Sequence, residues 1–221
     1  MRARFDRSLV PLHPDCSIEN NLWQNGLVWV AGLDEAGRGA WAGPVFAGAV
    51  ILPPEPGLER FLPGVRDSKQ MTPPQREHWA GEIQAAAMAW GVGYAEAAEI
   101  DALGILPATR LAMARAVEQL GEAPQFLLVD GNFALPELPL PQQSLIKGDA
   151  RSLSIAAASI LAKTARDALL TNYEEAYPGY GFARHKGYGT AVHRTALERL
   201  GACPIHRYSF APLRLLETNH T

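Results

Sequence analysis

Apolar and polar positions divide the chain into segments of two periods. Residues 27–33 and 45–52 are almost continuously apolar and read as buried strands. A glycine-rich turn separates them, so the two are expected to pair. The stretch 53–73, rich in Pro and Gly, is a loop. Residues 74–90 then predict a helix with Pro74 in its first turn, where a missing N–H costs nothing, and 91–95 a short strand. Over 100–120, Leu103, Leu106, Leu111, Val117 and Leu120 fall at helical spacing, with Gly104 and Pro107 dividing the stretch into two helices. Phe126-Leu127-Leu128-Val129-Asp130-Gly131 repeats the opening pattern of a buried strand ending in an acid. The alanine-rich segment 152–170 predicts a helix whose small side chains allow close approach to a sheet, and 190–200 predicts another.

Strands interleaved with helices make this an α/β chain with no internal repeat and no low-complexity tract. Residues 1–26 lack clear periodicity and are taken as an N-terminal extension, with one domain over 27–221. At 221 residues, 48% hydrophobic and 19% charged, the chain is long enough to bury a sizeable core. No apolar run reaches the roughly 18 residues of a membrane span, and Met1-Arg2-Ala3-Arg4-Phe5-Asp6 lacks the apolar centre of a signal peptide. A cytoplasmic location is therefore expected. Two cysteines, Cys16 and Cys203, fit a reduced compartment and argue against a zinc site.

Charge changes the picture locally rather than in sum. The net charge is −3, yet the segment 184–214 carries Arg184, Lys186, Arg194, Arg199, Arg207 and Arg214 with His185, His193 and His206, against the single acid Glu198. A basic region in an acidic protein suits a polyanion when the acids elsewhere are neutralised by metal.

The acids themselves sit where apolar strands end. Asp34 and Glu35 close the first strand, Asp130 closes the strand at 126–130, and Asp149 follows in Lys147-Gly148-Asp149 before the alanine-rich helix. If the strands are neighbours, three carboxylates share one sheet edge, with Asp149 a fourth. Hard divalent ions such as Mg²⁺ take oxygen ligands and keep waters that can be activated. Two such ions about 4 Å apart stabilise both attacking and leaving oxygens of a displacement at phosphorus. Taken alone, Asp130-Gly131 also reads as a turn and Asp149 as a helix-cap residue. Asp167 is a rival fourth ligand, better read as half of a surface ion pair. There is no Gly-x-Ser-x-Gly elbow, no phosphate-binding Gly-x-x-x-x-Gly-Lys-Ser/Thr loop and no His-Glu-x-x-His helix. Ser159 reads as a local packing or capping residue.

These residues closely resemble the type 2 ribonucleases H, specifically the bacterial ribonuclease HII family. The motifs are Asp34-Glu35-Ala36-Gly37-Arg38-Gly39, Ala42-Gly43-Pro44-Val45, Asp67-Ser68-Lys69, Val129-Asp130-Gly131-Asn132, Lys147-Gly148-Asp149, the helix over 154–167, His185-Lys186-Gly187-Tyr188-Gly189-Thr190 and His206-Arg207-x-Ser209-Phe210. They occur in the family's order across about residues 28–213. The resemblance implies a ribonuclease H-like fold, a central mixed sheet flanked by helices with a C-terminal helical portion that grips a duplex. It implies endonucleolytic hydrolysis of RNA in RNA–DNA hybrids and incision of duplex DNA 5′ of a single embedded ribonucleotide, giving 5′-phosphate ends, as in ribonucleotide excision repair and RNA primer removal.

By motif, Asp34, Glu35, Asp130 and Asp149 match the family's catalytic metal-binding carboxylates, with two Mg²⁺ or Mn²⁺ ions implied during catalysis. Gly37, Arg38 and Gly39 match the segment that reads the ribose 2′-hydroxyl. Tyr188 matches the tyrosine that stacks on the following sugar. A glycine-rich turn lets backbone approach a sugar closely, and a 2′-hydroxyl, both donor and acceptor, separates RNA from DNA. Lys69, Lys147, Lys186 and Arg207 are candidate phosphate contacts, which position a duplex without reading its sequence. Ala40-Trp41 departs from the family's usual Pro followed by a small or aliphatic residue, so a looser turn and an added contact from Trp41 are expected. A monomer is expected, since no long apolar heptad demands a dimer. Two other readings stay open: a metal-dependent DNA nuclease on the same fold, marked by preference for all-DNA substrates, and a silent hybrid-binding module, marked by tight binding without cleavage.

Overall fold

The computed structural model describes residues 5–6, 9–211 and 213–214; the rest of the expected extension and of the C-terminal end lies outside them. Five strands form one sheet in the order β3-β2-β1-β4-β5. They are β1 (Val30–Ala36), β2 (Val45–Ile51), β3 (Ala89–Ala95), β4 (Phe126–Asp130) and β5 (Gln142–Leu145). β1 runs antiparallel to β2 and parallel to β4, which in turn runs parallel to β5. The helices are α1 (Ser17–Gln24), α2 (Pro73–Ala86), α3 (Ala97–Leu103), α4 (Ile105–Glu118), α5 (Leu153–Ala176), α6 (Phe182–His185) and α7 (Ala191–Leu200). The mixed sheet flanked by helices, with α6 and α7 as a C-terminal helical part, is the expected architecture.

The long helix α5 is the centre of one face. Its approach is set by glycine: a Cβ on Gly32 would fall 2.3 Å from the Ser154 carbonyl carbon, and one on Gly48 2.3 Å from the Ala158 oxygen. Helix backbone therefore lies directly on sheet backbone, which only the small residues of both partners permit. Because Asp34 pairs with Gly48 in the β1–β2 register, its side chain emerges on this same face. On the opposite face Leu33, Ala47 and Ala49 pack with Ala112, Met113 and Ala116 of α4 in the main apolar core.

Several element boundaries differ from the sequence-based expectation, each for a physical reason. The first strand begins at Val30 and continues through Asp34 and Glu35, because pairing with β2 extends past the apolar run. α2 stops at Ala86, and Met88 N–H bonds to the Ile51 carbonyl, so that Trp90 belongs to β3. Gly104, at φ +83°, does separate α3 from α4. β5 is a short edge strand of Gln-Gln-Ser-Leu, whose polarity hid it.

The segment before Leu27 is not a loose appendage over its described part. Asp15 bridges to Ser152, and α1 buries Glu19 completely against the start of α5. Glu19 Oε1 accepts from the Ser152 and Ser154 hydroxyls at 2.6 Å and from Ser154 N–H at 2.9 Å. The folded body therefore starts well before Leu27.

Candidate active site

β1 and β4 are parallel neighbours, with Leu33 opposite Val129, so the next residues, Asp34 and Asp130, leave the sheet side by side. Asp34, Glu35 and Asp130 line one cleft of about 1080 Å³, together with Gly37, Arg38, Gly39, Lys69, Arg76, Lys163, Asp167, Arg184, Lys186 and Tyr188. Asp34 is 2% exposed. Its Oδ1 accepts from Glu35 N–H at 2.7 Å, whereas Oδ2 is buried without a hydrogen-bond partner. Asp130 Oδ1 accepts from Gly148 N–H at 2.6 Å. That bond draws the Lys147-Gly148-Asp149 turn to the sheet edge, with Lys147 in the left-handed region at φ +56°. Asp149 borders the cleft rather than lining it: its Oδ2 lies 3.3 Å from Lys69 Nζ, and its charge acts on Asp130.

Burial, then the charge of Asp130 and that of Glu35, push the Asp34 carboxyl well above its usual range, with the Ser159 hydroxyl and Lys69 acting against this. Glu35 is raised by burial and Asp130, with Arg38 at 3.7 Å opposing. Asp130 is raised by burial and Asp149. Burial opposes the charge on Lys69, yet Asp34, Asp149 and Asp67 outweigh it and raise its pKa. Acids that destabilise one another's charge at one edge are costly unless cations join them. Among the described residues no three His, Cys, Asp or Glu groups enclose an ion by themselves. The unpartnered Asp34 oxygen and the all-oxygen donor set nevertheless fit a hard divalent cation completed by water or substrate oxygens.

Next to the acids, the loop from Gly37 to Pro44 is held by two arginines that are 0% exposed. Arg166 of α5 donates to the carbonyls of Pro44, Ala42 and Lys186 at 3.0, 3.1 and 2.9 Å. Arg207 donates to those of Gly43, Arg38 and Gly37 at 2.9, 3.0 and 2.8 Å. Arg207 is therefore not the phosphate contact expected from sequence: its guanidinium is inside the protein, fixing the turn that carries Arg38. Burial, reinforced by Arg166, pulls its pKa down to about 9, so it stays charged at neutral pH. Gly37, at φ +88°, is pressed on Arg166, whose Nε lies 1.9 Å from where a Cβ would stand; Gly39 has open space there. Neither arginine's role was visible in sequence, where a buried arginine looks like any surface charge.

The remaining expected residues divide between cleft and surroundings. Tyr188 is 36% exposed in the cleft, its ring centroid 5.4 Å from the Arg166 guanidinium and 5.5 Å from Lys163 Nζ. Lys69 and Lys186 also line the cleft, the latter donating to the Asp167 carbonyl and the Thr171 hydroxyl. Lys147 is exposed outside it. Asp167 forms the expected ion pair, with Lys163 at 2.7 Å and Arg76 at 2.9 Å, half-buried in the cleft wall rather than on open surface. Ser159 acts at long range rather than locally: its hydroxyl meets that of Ser68 at 2.9 Å and borders Asp34.

This arrangement has relatives. The ribonuclease HII family profile matches residues 31–213. Ribonuclease HII of Synechococcus sp. (strain JA-3-3Ab) is 55% identical over 206 residues, covering 93% of this chain and 92% of the relative. That of Dehalococcoides mccartyi is 52% identical over 201 residues, covering 91% and 94%. The crystal structure of ribonuclease H2 from Pyrococcus horikoshii OT3 superposes with a TM-score of 0.71 at 27% identity, over 86% of this chain and 97% of that one. The ribonuclease HII of a PCNA complex from Archaeoglobus fulgidus gives 0.68 at 26% identity, over 80% and 91%. On the profile match and on identity above half across nearly its whole length, this chain belongs to the ribonuclease HII family.

Proposed function

We propose that this chain hydrolyses the RNA strand of RNA–DNA hybrids and incises duplex DNA on the 5′ side of a single embedded ribonucleotide, with Asp34, Glu35, Asp130 and Asp149 as its metal-binding catalytic acids. The observation that carries this assignment of residues is the buried, unpartnered Asp34 oxygen among carboxylates that raise one another's pKa. Family membership supplies the reaction class. Mg²⁺ or Mn²⁺ held by these acids supplies water activation and neutralisation of charge at the phosphorus.

The protein's own residues set which bond is presented. Arg166 and Arg207 bond carbonyls of the Gly37–Pro44 loop, and Gly39 lines the cleft with open space where a Cβ would stand, which supports the reading that this turn meets a 2′-hydroxyl. Tyr188 offers its ring to the sugar that follows, where a deoxyribose packs and a ribose meets it with an extra hydroxyl. Lys69, Lys147 and Lys186 serve as phosphate contacts. Among the described residues no helix is long and apolar enough to cross a membrane. The enzyme is taken to be a cytoplasmic monomer, to be checked by its mass in solution.

The test is incision of a labelled DNA duplex containing one ribonucleotide, beside an all-DNA duplex, in Mg²⁺ and in Mn²⁺. A single cut 5′ of the ribonucleotide, absent from the control and lost in Asp130→Asn, is the expected result. Cleavage of both duplexes, or of neither by folded protein, overturns the proposal.

A further inference from the structure

We infer that Trp41 is a positioning residue for ribonucleotide specificity, holding the Tyr188 turn at a fixed spacing from the Gly37-Arg38-Gly39 turn. This deepens the activity proposed above and rests on it. Trp41 lies on the strip of chain that leaves the glycine turn. Its N–H donates to the Gly187 carbonyl at 2.8 Å, and its own carbonyl accepts from Arg207 N–H at 2.8 Å. Its backbone thus joins the two turns directly.

The indole is a wedge under the second turn. A Cβ on Gly189 would fall 2.1 Å from Trp41 Cε2, so the ring lies against the main chain next to Tyr188. On its other sides are the His193 ring, at a centroid distance of 5.5 Å, and the Arg194 guanidinium at 5.8 Å. His193 Nδ1 in turn reaches the Tyr188 carbonyl at 3.0 Å. The Tyr188 ring projects into the cleft, so its height there depends on the turn beneath it. Trp41 and His193 together form that support.

An aromatic ring of this size buries 150–250 Å². Removing it leaves a void below Gly189 and lets the turn settle, and a displacement near 1 Å at a positioning group can cost up to about a hundredfold in rate. Such a displacement does not fall equally on all substrates. A deoxyribose following the ribonucleotide packs on the Tyr188 ring, whereas in a uniform hybrid a 2′-hydroxyl already spoils that contact. The single-ribonucleotide duplex therefore depends more on Trp41.

The experiment measures kcat and KM for wild type, Trp41→Ala, Trp41→Leu and Trp41→Phe on a duplex with one ribonucleotide and on a uniform hybrid, with circular dichroism melting of each protein. The expected result is a loss of about tenfold in kcat for Trp41→Ala on the single-ribonucleotide duplex, at most about twofold on the hybrid, and restoration by Trp41→Phe. Trp41→Leu, which keeps apolar bulk without the ring, carries the same comparison if the alanine variant does not fold. Equal losses on both substrates, no loss on either, or failure of phenylalanine to restore overturns the inference. A wild type that cuts neither duplex overturns the underlying activity, and the inference with it.

Discussion

Arg207→Met separates a buried clamp from a phosphate contact, two roles with opposite signatures. The guanidinium makes three hydrogen bonds to the Gly37, Arg38 and Gly43 carbonyls at 2.8–3.0 Å and is 0% exposed. Hydrogen bonds to a charged donor contribute about 1.5–3 kcal/mol each, so the three carbonyls lose roughly 4–9 kcal/mol of favourable contact. Against this, methionine relieves the several kcal/mol cost of burying a cation, the cost that depresses its pKa to about 9. The net loss is about 3 kcal/mol, or roughly 6–12 °C in melting temperature for a chain of this size. Thermal melting measures that quantity. Hybrid binding by anisotropy across a salt series measures the other: removing a phosphate contact lowers the slope of log K against log salt by about 1, as Lys69→Ala should. Arg207→Met should leave that slope unchanged. A melting temperature within about 2 °C of wild type, or a slope reduced like that of Lys69→Ala, refutes the clamp.

Other expectations follow from the same geometry. Gly37→Ala places a Cβ 1.9 Å from Arg166 Nε at φ +88° and should cost several degrees of melting temperature and nearly all activity, while Gly39→Ala, with open space at its Cβ, should melt within about 2 °C of wild type. Burial raises the Glu19 carboxyl in the folded protein above its unfolded value near 4.3, so its contribution to stability is full below that value and lost as pH rises through the folded one. Melting of Glu19→Gln, which cannot ionise, should therefore gain on wild type as pH rises above the unfolded value; a difference constant across the whole pH range refutes this. Burial pulls the His193 and His206 imidazoles down to about 4, so these two are neutral at pH 7 and acid destabilises the fold as pH falls from about 6.5 toward 4. The bonds His193 Nδ1 to Tyr188 O, Gly187 N–H to His185 Nδ1 and Cys203 N–H to His206 Nδ1 fix the tautomers as Nδ1–H for His193 and Nε2–H for the other two. Nitrogen NMR at pH 7 reads them, and a reversed ring contradicts the network.

How much of this was legible in sequence depends on whether a residue's role is local. The strands ending in Asp34 and Asp130 were visible because buried apolar runs carry their own signal and an acid at their end breaks it. The break between α3 and α4 was visible because Gly104 is a local conformational signal. By contrast Arg166, Arg207 and Glu19 take their meaning chiefly from partners more than a hundred residues away, such as Pro44 for Arg166, Gly37 for Arg207 and Ser152 for Glu19. Nothing in their immediate sequence distinguishes them from solvated charges. β5 escaped notice because an edge strand of four residues needs no apolar alternation. Trp41 stood out as a departure from the family pattern, but its contact with Gly189 came only with the fold.

The most direct test of the carboxylate assignment is the melting temperature of wild type and Asp130→Asn as a function of Mn²⁺ concentration, with incision assayed on the same samples. Asparagine keeps an oxygen for the Gly148 N–H while removing one charge from the repelling set, so metal-free Asp130→Asn should melt higher than wild type. Wild type should gain about 2.7 kcal/mol, near 5–10 °C, at a hundred times its dissociation constant. The variant should gain almost nothing and cut nothing. A variant that is destabilised without metal, yet keeps the full Mn²⁺ shift, contradicts the carboxylates as the cation site.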